Sequence, residues 1–375
     1  MDTFIRTDVN RVILISDIHL GIRNASFEWI ENMTRYFDNF FIPLIRKYKE
    51  AGDKCVVVVA GDYFDNRQHI DINVMNVGAE IMQKIAAEVE VFVSIGNHDI
   101  YKKKEVDISS VKIFKLFKNV KLIEKLTTLV TSQDRKFLIV PWVGDAKEET
   151  RILTRNKNVD FYILHSDIAG FKYDNGRQIV NGVNISTIEG KKIYSGHIHK
   201  RQSTDVATYI GSPYHLKRSD IGNTKGIYSV VISPDGVKEE FVENTYSPKY
   251  LKVPLEDILD YTLDKVKKIV YNNYVDIIIK RKWKNDISMS KLMEAMDYCK
   301  PRKIEIILDK LETEFTDDNN IVTKDMSIED VSNDKIDKLG KERGYTEEDI
   351  KKLKEMNAAY LGMAADLIGN VDNMK

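Results

Sequence analysis

The chain has 375 residues, a net charge of −1 and only two cysteines, Cys55 and Cys299. That length admits one large domain with one or two small ones, and two distant cysteines exclude a disulfide framework and a cysteine-type zinc site. The near-neutral balance excludes a uniformly basic nucleic-acid glove, although local patches still steer phosphates. No apolar run approaches the ~20 residues of a membrane span, and the start MDTFIRTDVNR is polar, which predicts a soluble, cytoplasmic chain with no membrane contact.

In chain order, Arg11 to Ser16 reads as a strand, followed by a turn and a long helix from Ser26 to Glu50. Its Trp29, Met33, Phe37, Phe40 and Leu44 share one face, as core or as a subunit contact. Lys54 to Ala60, apolar through four valines, predicts a strand covered on both faces. A helix over Asn73 to Ala87 then leads into the strand that ends in Gly96-Asn97-His98-Asp99, and this βαβαβ opening predicts a sheet with helices outside. Further on, Val111 to Phe117 reads as a helix, with strands near Val120, Thr128 and Phe137. A helix over Lys147 to Arg155 and the strand Phe161 to His165 follow, then strands over Val206 to Ile210 and Gly226 to Ile232, with a hairpin turn at Pro234-Asp235-Gly236. Two mixed sheets face to face with helices outside is the economical architecture.

Past Ser247-Pro248 the composition changes. Leu255 to Tyr271 reads as a helix, Val275 to Lys280 as a strand, Ser288 to Tyr298 as a helix and Lys303 to Leu308 as a strand, a small α/β module. Thr316 to Ser327 is polar and linker-like. A final helix pair follows, the second opened by Thr346 with Asp349 and striped by Ile350, Leu353, Met356, Tyr360, Ala364 and Leu367. The expected boundaries are 1–247, 248–315, a linker over 316–331 and a helical tail over 332–375.

Five apolar strands end abruptly in metal-ligand residue types: VILISDIH, VVVVAGDYFD, VFVSIGNHD, FYILH and IYSGHIH. They contribute Asp17, His19, Asp62, Asn97, His165, His197 and His199. Oxygen and nitrogen donors without thiolate suit Mn²⁺, Fe²⁺ or Zn²⁺ better than Ca²⁺, and seven ligands are too many for one ion. Two ions need a bridging carboxylate and can then activate a shared water for attack on phosphorus. Asp62, at the end of the most buried strand, is the candidate bridge.

The ordered series D-x-H (Asp17, His19), G-D (Gly61, Asp62), G-N-H-D (Gly96 to Asp99), an isolated strand-end His165 and G-H-x-H (Gly196 to His199) resembles the calcineurin-like metallophosphoesterases. Gly211-Ser212-Pro213, then Lys225-Gly226 opening a strand, and Pro141-Trp142, are similar to the SbcD or meiotic-recombination-eleven nucleases within that superfamily, of the compact phage or bacterial type. The resemblance implies a four-layer α-β-β-α sandwich, a small α/β capping domain that helps hold DNA, and a helical tail. It implies one metal on Asp17, His19, Asp62 and His199 and a second on Asp62, Asn97, His165 and His197. His98 would face the scissile phosphate, with Asp99 orienting its ring. One departure stands out: some relatives carry His where this chain has Asp65, a position that bears on how duplex ends are handled.

The expected activity is therefore a Mn²⁺-dependent DNA nuclease, with Mg²⁺ as the alternative ion. It would be an exonuclease on duplex ends and an endonuclease on single strands and hairpins, in double-strand-break repair and recombination. The implied partners are DNA, an SMC-like ABC ATPase of the SbcC type gripped by the C-terminal helices, and a second copy within a 2:2 complex, in a host cytoplasm if the chain is viral. Lys102, Lys103, Lys104, Arg67, Lys200 and Arg201 border the motifs as candidate DNA contacts, with Lys217-Arg218 beside the Gly-Ser-Pro turn and the Lys280 to Lys284 run as further bets. Two rivals use the same residues: a metallophosphatase on small or protein substrates, and a non-catalytic scaffold for the ATPase.

Overall fold

The valine strand Cys55–Ala60 lies near the middle of a six-stranded sheet and is buried along its whole length. Its neighbours, Arg11–Ile15 and Glu90–Ser94, run parallel to it in register, Val12 opposite Val56 and Val57 opposite Val91. Val120–Ile123 continues the parallel order on one side, and the hairpin Gly226–Ser233 with Gly236–Glu243 adds two antiparallel strands on the other. A seven-stranded sheet faces it, with Lys136–Ile139, Phe161–His165, Lys192–Gly196 and Ala207–Tyr209 parallel at its centre. Its edge strand Thr3–Arg6 was not expected from sequence; four residues are too few for a periodicity signal.

This computed structural model describes residues 3–101, 105–186, 188, 190–280, 288–308, 333, 336–337, 340–341 and 345–358. Residues 1–310 and 311–375 form two separate compact units. In the first, alternate residues of each strand divide between two cores, as the period of two requires. Val12, Leu14, Val56, Val58 and Phe92 meet Phe137, Ile139, Phe161 and Ile163 between the sheets. Ile13, Ile15, Val57, Val59, Val91 and Val93 face outward onto the helices Phe27–Tyr36, Ile42–Glu50 and Ile72–Glu88. The outer face of the other sheet is covered by Leu153 of the helix Ala146–Arg155 and by Ile168, Phe171, Ile179 and Val183 of a long loop. The result is the expected α-β-β-α order.

Three predicted helices differ in detail. The Ser26 to Glu50 helix is interrupted by a π-turn, Phe37–Phe41, just before Pro43, which has no N–H to give to an α-helical bond. The wider turn shifts the buried face, so Phe41 and Ile45 are fully buried while Phe40 and Leu44 only flank the same core. Val111 to Phe117 falls in a 3₁₀ segment, Ser110–Leu116. The Leu255 to Tyr271 helix is two, Leu255–Asp260 and Leu263–Val270, because the Thr262 side chain accepts from Lys265 N–H and starts a new helix.

The stretch past residue 248 has a three-stranded parallel sheet, Tyr250–Pro254, Tyr274–Ile279 and Lys303–Leu308, with its own core of Val253, Val266, Val275, Ile277, Leu292 and Met296. In the second unit residues 347–358 are helical. The predicted capping box is present: Asp349 N–H donates to Thr346 Oγ1 and Thr346 N–H to Asp349 Oδ2. Ile350 is buried and Met356 exposed. The expected linker over 316–331, and Tyr360, Ala364 and Leu367 of the stripe, lie outside the described residues. No described helix is long and apolar enough to cross a membrane.

Candidate metal centre

Asp17, His19, Asp62 and Asn97 follow three adjacent parallel strands of one sheet, and His165, His197 and His199 end or follow two adjacent strands of the other. Parallel strands bring their C-terminal ends to one edge, so the seven residues meet where the two sheets open. The turns that carry them are tight. A Cβ on Gly96 would lie 2.4 Å from the Asp62 backbone nitrogen, and one on Gly196 would lie 2.5 Å from the Ala60 carbonyl oxygen, so only glycine allows these approaches. Four of the seven residues adopt left-handed backbone angles: Asp17 (φ 54°), His19 (48°), Asp62 (55°) and His197 (87°).

Asp62 is central. Its Oδ2 lies 3.1 Å from His165 Nε2 and 3.6 Å from His19 Nε2, and its Oδ1 accepts the His98 backbone N–H at 2.8 Å. Asn97 Oδ1 lies 3.0 Å from His165 Nε2 and 2.8 Å from His197 Nδ1. Asp17 Oδ1 accepts the His197 N–H at 2.9 Å. Donor atoms group within 4.8 Å of one another as Asp17, His19 and His199, and again as Asp62, His165 and His197. The Asp17 Oδ2 and His19 Nε2 atoms are buried without a hydrogen-bond partner. Buried polar atoms are rarely left so, and converging oxygen and nitrogen donors fit a divalent cation.

The electrostatics of the pocket are strongly coupled. Burial resists charging His165, but the Asp62 carboxylate beside it, with help from Asp17, carries its pKa up to about 10. Asp62 is correspondingly held far below the usual carboxylate range by His165 and His19, against burial. Asp17 moves the other way, raised by burial and then by the Asp62 charge. Burial, then the His19 charge, pushes His199 well below its ordinary value.

The calcineurin-like phosphoesterase family model matches residues 10–201, just over half of the chain, and so spans all seven residues. The chain belongs to that family. It is a hydrolase of phosphate esters, and the family uses divalent metal ions. It is similar to exonuclease subunit 1 of Enterobacteria phage T4, 25% identical over 256 residues, covering 67% of this chain and 73% of that subunit. It is also similar to putative phosphoesterase 078R of Invertebrate iridescent virus 3, 25% identical over 232 residues, covering 57% of this chain and 60% of the viral protein.

In this phosphoesterase each pocket imidazole has an oxygen behind it. His165 Nδ1 donates to the Ala60 carbonyl at 2.7 Å, and His19 Nδ1 faces Asp65 Oδ1 at 3.0 Å, which turns both Nε2 atoms inward. His197 Nε2 lies 3.3 Å from Asp167 Oδ1, and His199 Nδ1 lies 3.3 Å from Asp174 Oδ2. Trp142 packs over the His197 ring at 5.4 Å. Sequence reasoning missed Asp167 and Asp174; the spacing of Asp167, two residues after His165, was the only available signal.

Asp99 requires a correction. Its carboxylate accepts from the Gly96, Asp62 and Tyr63 N–H groups, locking two turns together, and it does not orient the His98 ring. His98 Nδ1 instead donates to the Asp65 carbonyl at 2.6 Å. Burial, then the Asp62 charge, pushes the Asp99 pKa up to about 7 against those three donors. The His98 pKa is lowered, chiefly by burial.

The candidate DNA contacts divide. Lys102, Lys103 and Lys104 lie outside the described residues, as do Arg281 to Lys284, while Lys280 pairs with Glu256. Arg67 and Lys200 are half-buried, and Arg67 is near enough to His98 to help lower its pKa. Arg201 is half-buried, its guanidinium 4.3 Å over the Phe241 ring and donating to Tyr228 Oη. Lys217 and Arg218 are engaged too, by Asp174 and by Asp276 and Glu305.

Proposed function

We propose that this phosphoesterase is a Mn²⁺-dependent DNA nuclease of the SbcD or meiotic-recombination-eleven kind, working in double-strand-break repair and recombination with an SMC-like ABC ATPase of the SbcC type. The observation that carries the reading is the extent of the likeness to the phage exonuclease subunit. At 67% of the chain it must run past the family stretch of residues 10–201, outside which lie the Gly211-Ser212-Pro213 and Lys225-Gly226 motifs.

Asp17, His19, Asp62 and His199 would hold one ion, and Asp62, Asn97, His165 and His197 the other, with Asp62 shared. Ions held there supply Lewis acidity to the phosphate and make a water easier to deprotonate. The protein's own part is geometric. Asp62 is fixed through the His98 N–H, and the four imidazoles are aimed by the oxygens behind them. His98 is held neutral at rest by burial, with its Nδ1–H committed to the Asp65 carbonyl, so its Nε2 would first take up a proton released by the attacking water and could then return it to the leaving oxygen. Residues 1–247 would form the nuclease domain, residues 248–315 a cap that helps hold DNA, and residues 332–375 the ATPase-binding tail, within a homodimeric 2:2 complex.

The test compares Mn²⁺-dependent degradation of end-labelled duplex and hairpin DNA with hydrolysis of p-nitrophenyl phosphate. DNA cleavage that disappears in Asp62→Asn is the expected result. Turnover of the small ester alone would overturn the nuclease reading and leave a metallophosphatase.

A further inference from the structure

A buried ion pair outside the ligand set touches one ligand directly. Lys225 and Asp220 have side chains only 2% and 0% exposed, with Nζ 2.8 Å from Asp220 Oδ1. The same ammonium donates to the backbone carbonyl of His199 at 2.6 Å. That carbonyl also accepts the Ser212 N–H at 3.0 Å, on a turn where a Cβ at Gly211 would lie 2.9 Å from the His199 oxygen. Asp220 is tied down in turn, its Oδ2 accepting from the Leu216 and Lys217 N–H groups. Lys217 Nζ then reaches Asp174 at 2.7 Å, the carboxylate that faces the His199 ring. One short turn, residues 216–220, thus backs His199 on two sides through intermediaries: Asp220 and Lys225 at its carbonyl, Lys217 and Asp174 beside its imidazole.

Burying an ammonium and a carboxylate is expensive, and an apolar pair of similar volume would usually be as stable or more so. A pair kept at that cost, with its cation donating to a ligand-bearing residue, has a use beyond packing. A point charge beside a cation site would by itself oppose binding, so the use is not attraction. We propose that Lys225, neutralised by Asp220, is a positioning residue that fixes the main chain at His199 and so sets the affinity of one of the two metal sites, the one shared by Asp17, His19 and His199. The inference rests on the two-metal reading given above.

The test is Mn²⁺ titration calorimetry on the full chain, with electron paramagnetic resonance to detect a spin-coupled pair. Lys225→Met alone leaves Asp220 buried and unpaired and risks misfolding, so the decisive variant is Lys225→Met with Asp220→Asn, which removes both charges; thermal melting of the metal-free protein checks its fold. The expected result is two ions per wild-type chain. In the double variant one site keeps its affinity and the other weakens about 10- to 100-fold, the range for lost support of a ligand, with the coupled signal replaced by that of a single ion. His199→Ala should lose the same site. Unchanged affinity at both sites in the folded double variant, or tighter binding, would overturn the positioning role and leave the two-metal reading intact. A wild-type chain that takes up no Mn²⁺ would overturn both.

Discussion

The two halves of the pocket are anchored by different means. On the His165 side the deepest imidazole donates to a carbonyl of the neighbouring valine strand, so its aim is as firm as the sheet. On the His19 and His199 side the imidazoles lean on Asp65 and Asp174, and His199 is held again through the buried Lys225. A ligand held by main chain can be loosened only by disturbing the fold, whereas one held by side chains can be adjusted by single substitutions. His197, which faces Asp167, is the member of the first half that borrows the second half's method.

Asp62→Asn strikes both halves at once and should have the largest effect. On the two-metal reading proposed above, losing the shared carboxylate would remove several kcal/mol of stabilisation, so phosphodiester hydrolysis should fall by about a thousandfold or more, and calorimetry should show neither ion bound tightly. If one ion stays bound with full affinity, Asp62 is not shared and the division into halves fails. His98→Ala should leave both halves loaded while turnover drops about 10²- to 10³-fold; loss of metal in that variant would move His98 from the chemistry to the ligand set.

Asp65→Ala should act on one half only, weakening the His19 side by about 10- to 100-fold in Mn²⁺ affinity. Equal weakening of both sites would show that the halves are not independent. The smallest effect concerns stability behind His165. Glu149 is buried, and burial raises its pKa from 4.5 to about 7. The folded state therefore binds this proton more tightly than the unfolded chain. Stability from this group is fully present below pH 4.5 and is lost as pH climbs to about 7, a difference of about 3 kcal/mol. In EDTA, the melting temperature of Glu149→Gln should overtake that of the wild type as pH rises from 4.5 to 8; a constant offset across that range would rule this out.

Much of this arrangement is legible in the residues. A buried strand announces itself by its apolar run, and a change within one residue to Asp, Asn or His marks where chemistry sits, which is how Asp17, Asp62, Asn97 and His165 stand out. What was not legible depended on backbone detail or distant partners. The π-turn at Phe37–Phe41 adds a fraction of a turn that no helical wheel anticipates. Asp99 sits beside His98 in sequence, yet its carboxylate points back to Gly96 and across to Asp62 and Tyr63. Asp174 meets His199 only because a long loop folds back over the sheet. Thr262, by contrast, is an ordinary helix-starting residue whose signal was hidden inside what reads as one continuous amphipathic helix.

The left-handed angles at Asp17, His19, Asp62 and His197 have an energetic consequence. Each such conformation in a residue with a side chain costs on the order of 1–2 kcal/mol, and glycine would avoid it. Glycine would relieve that strain but would also remove side chains that pair with one another inside the pocket, so the strained backbone is what holds these donors in one place.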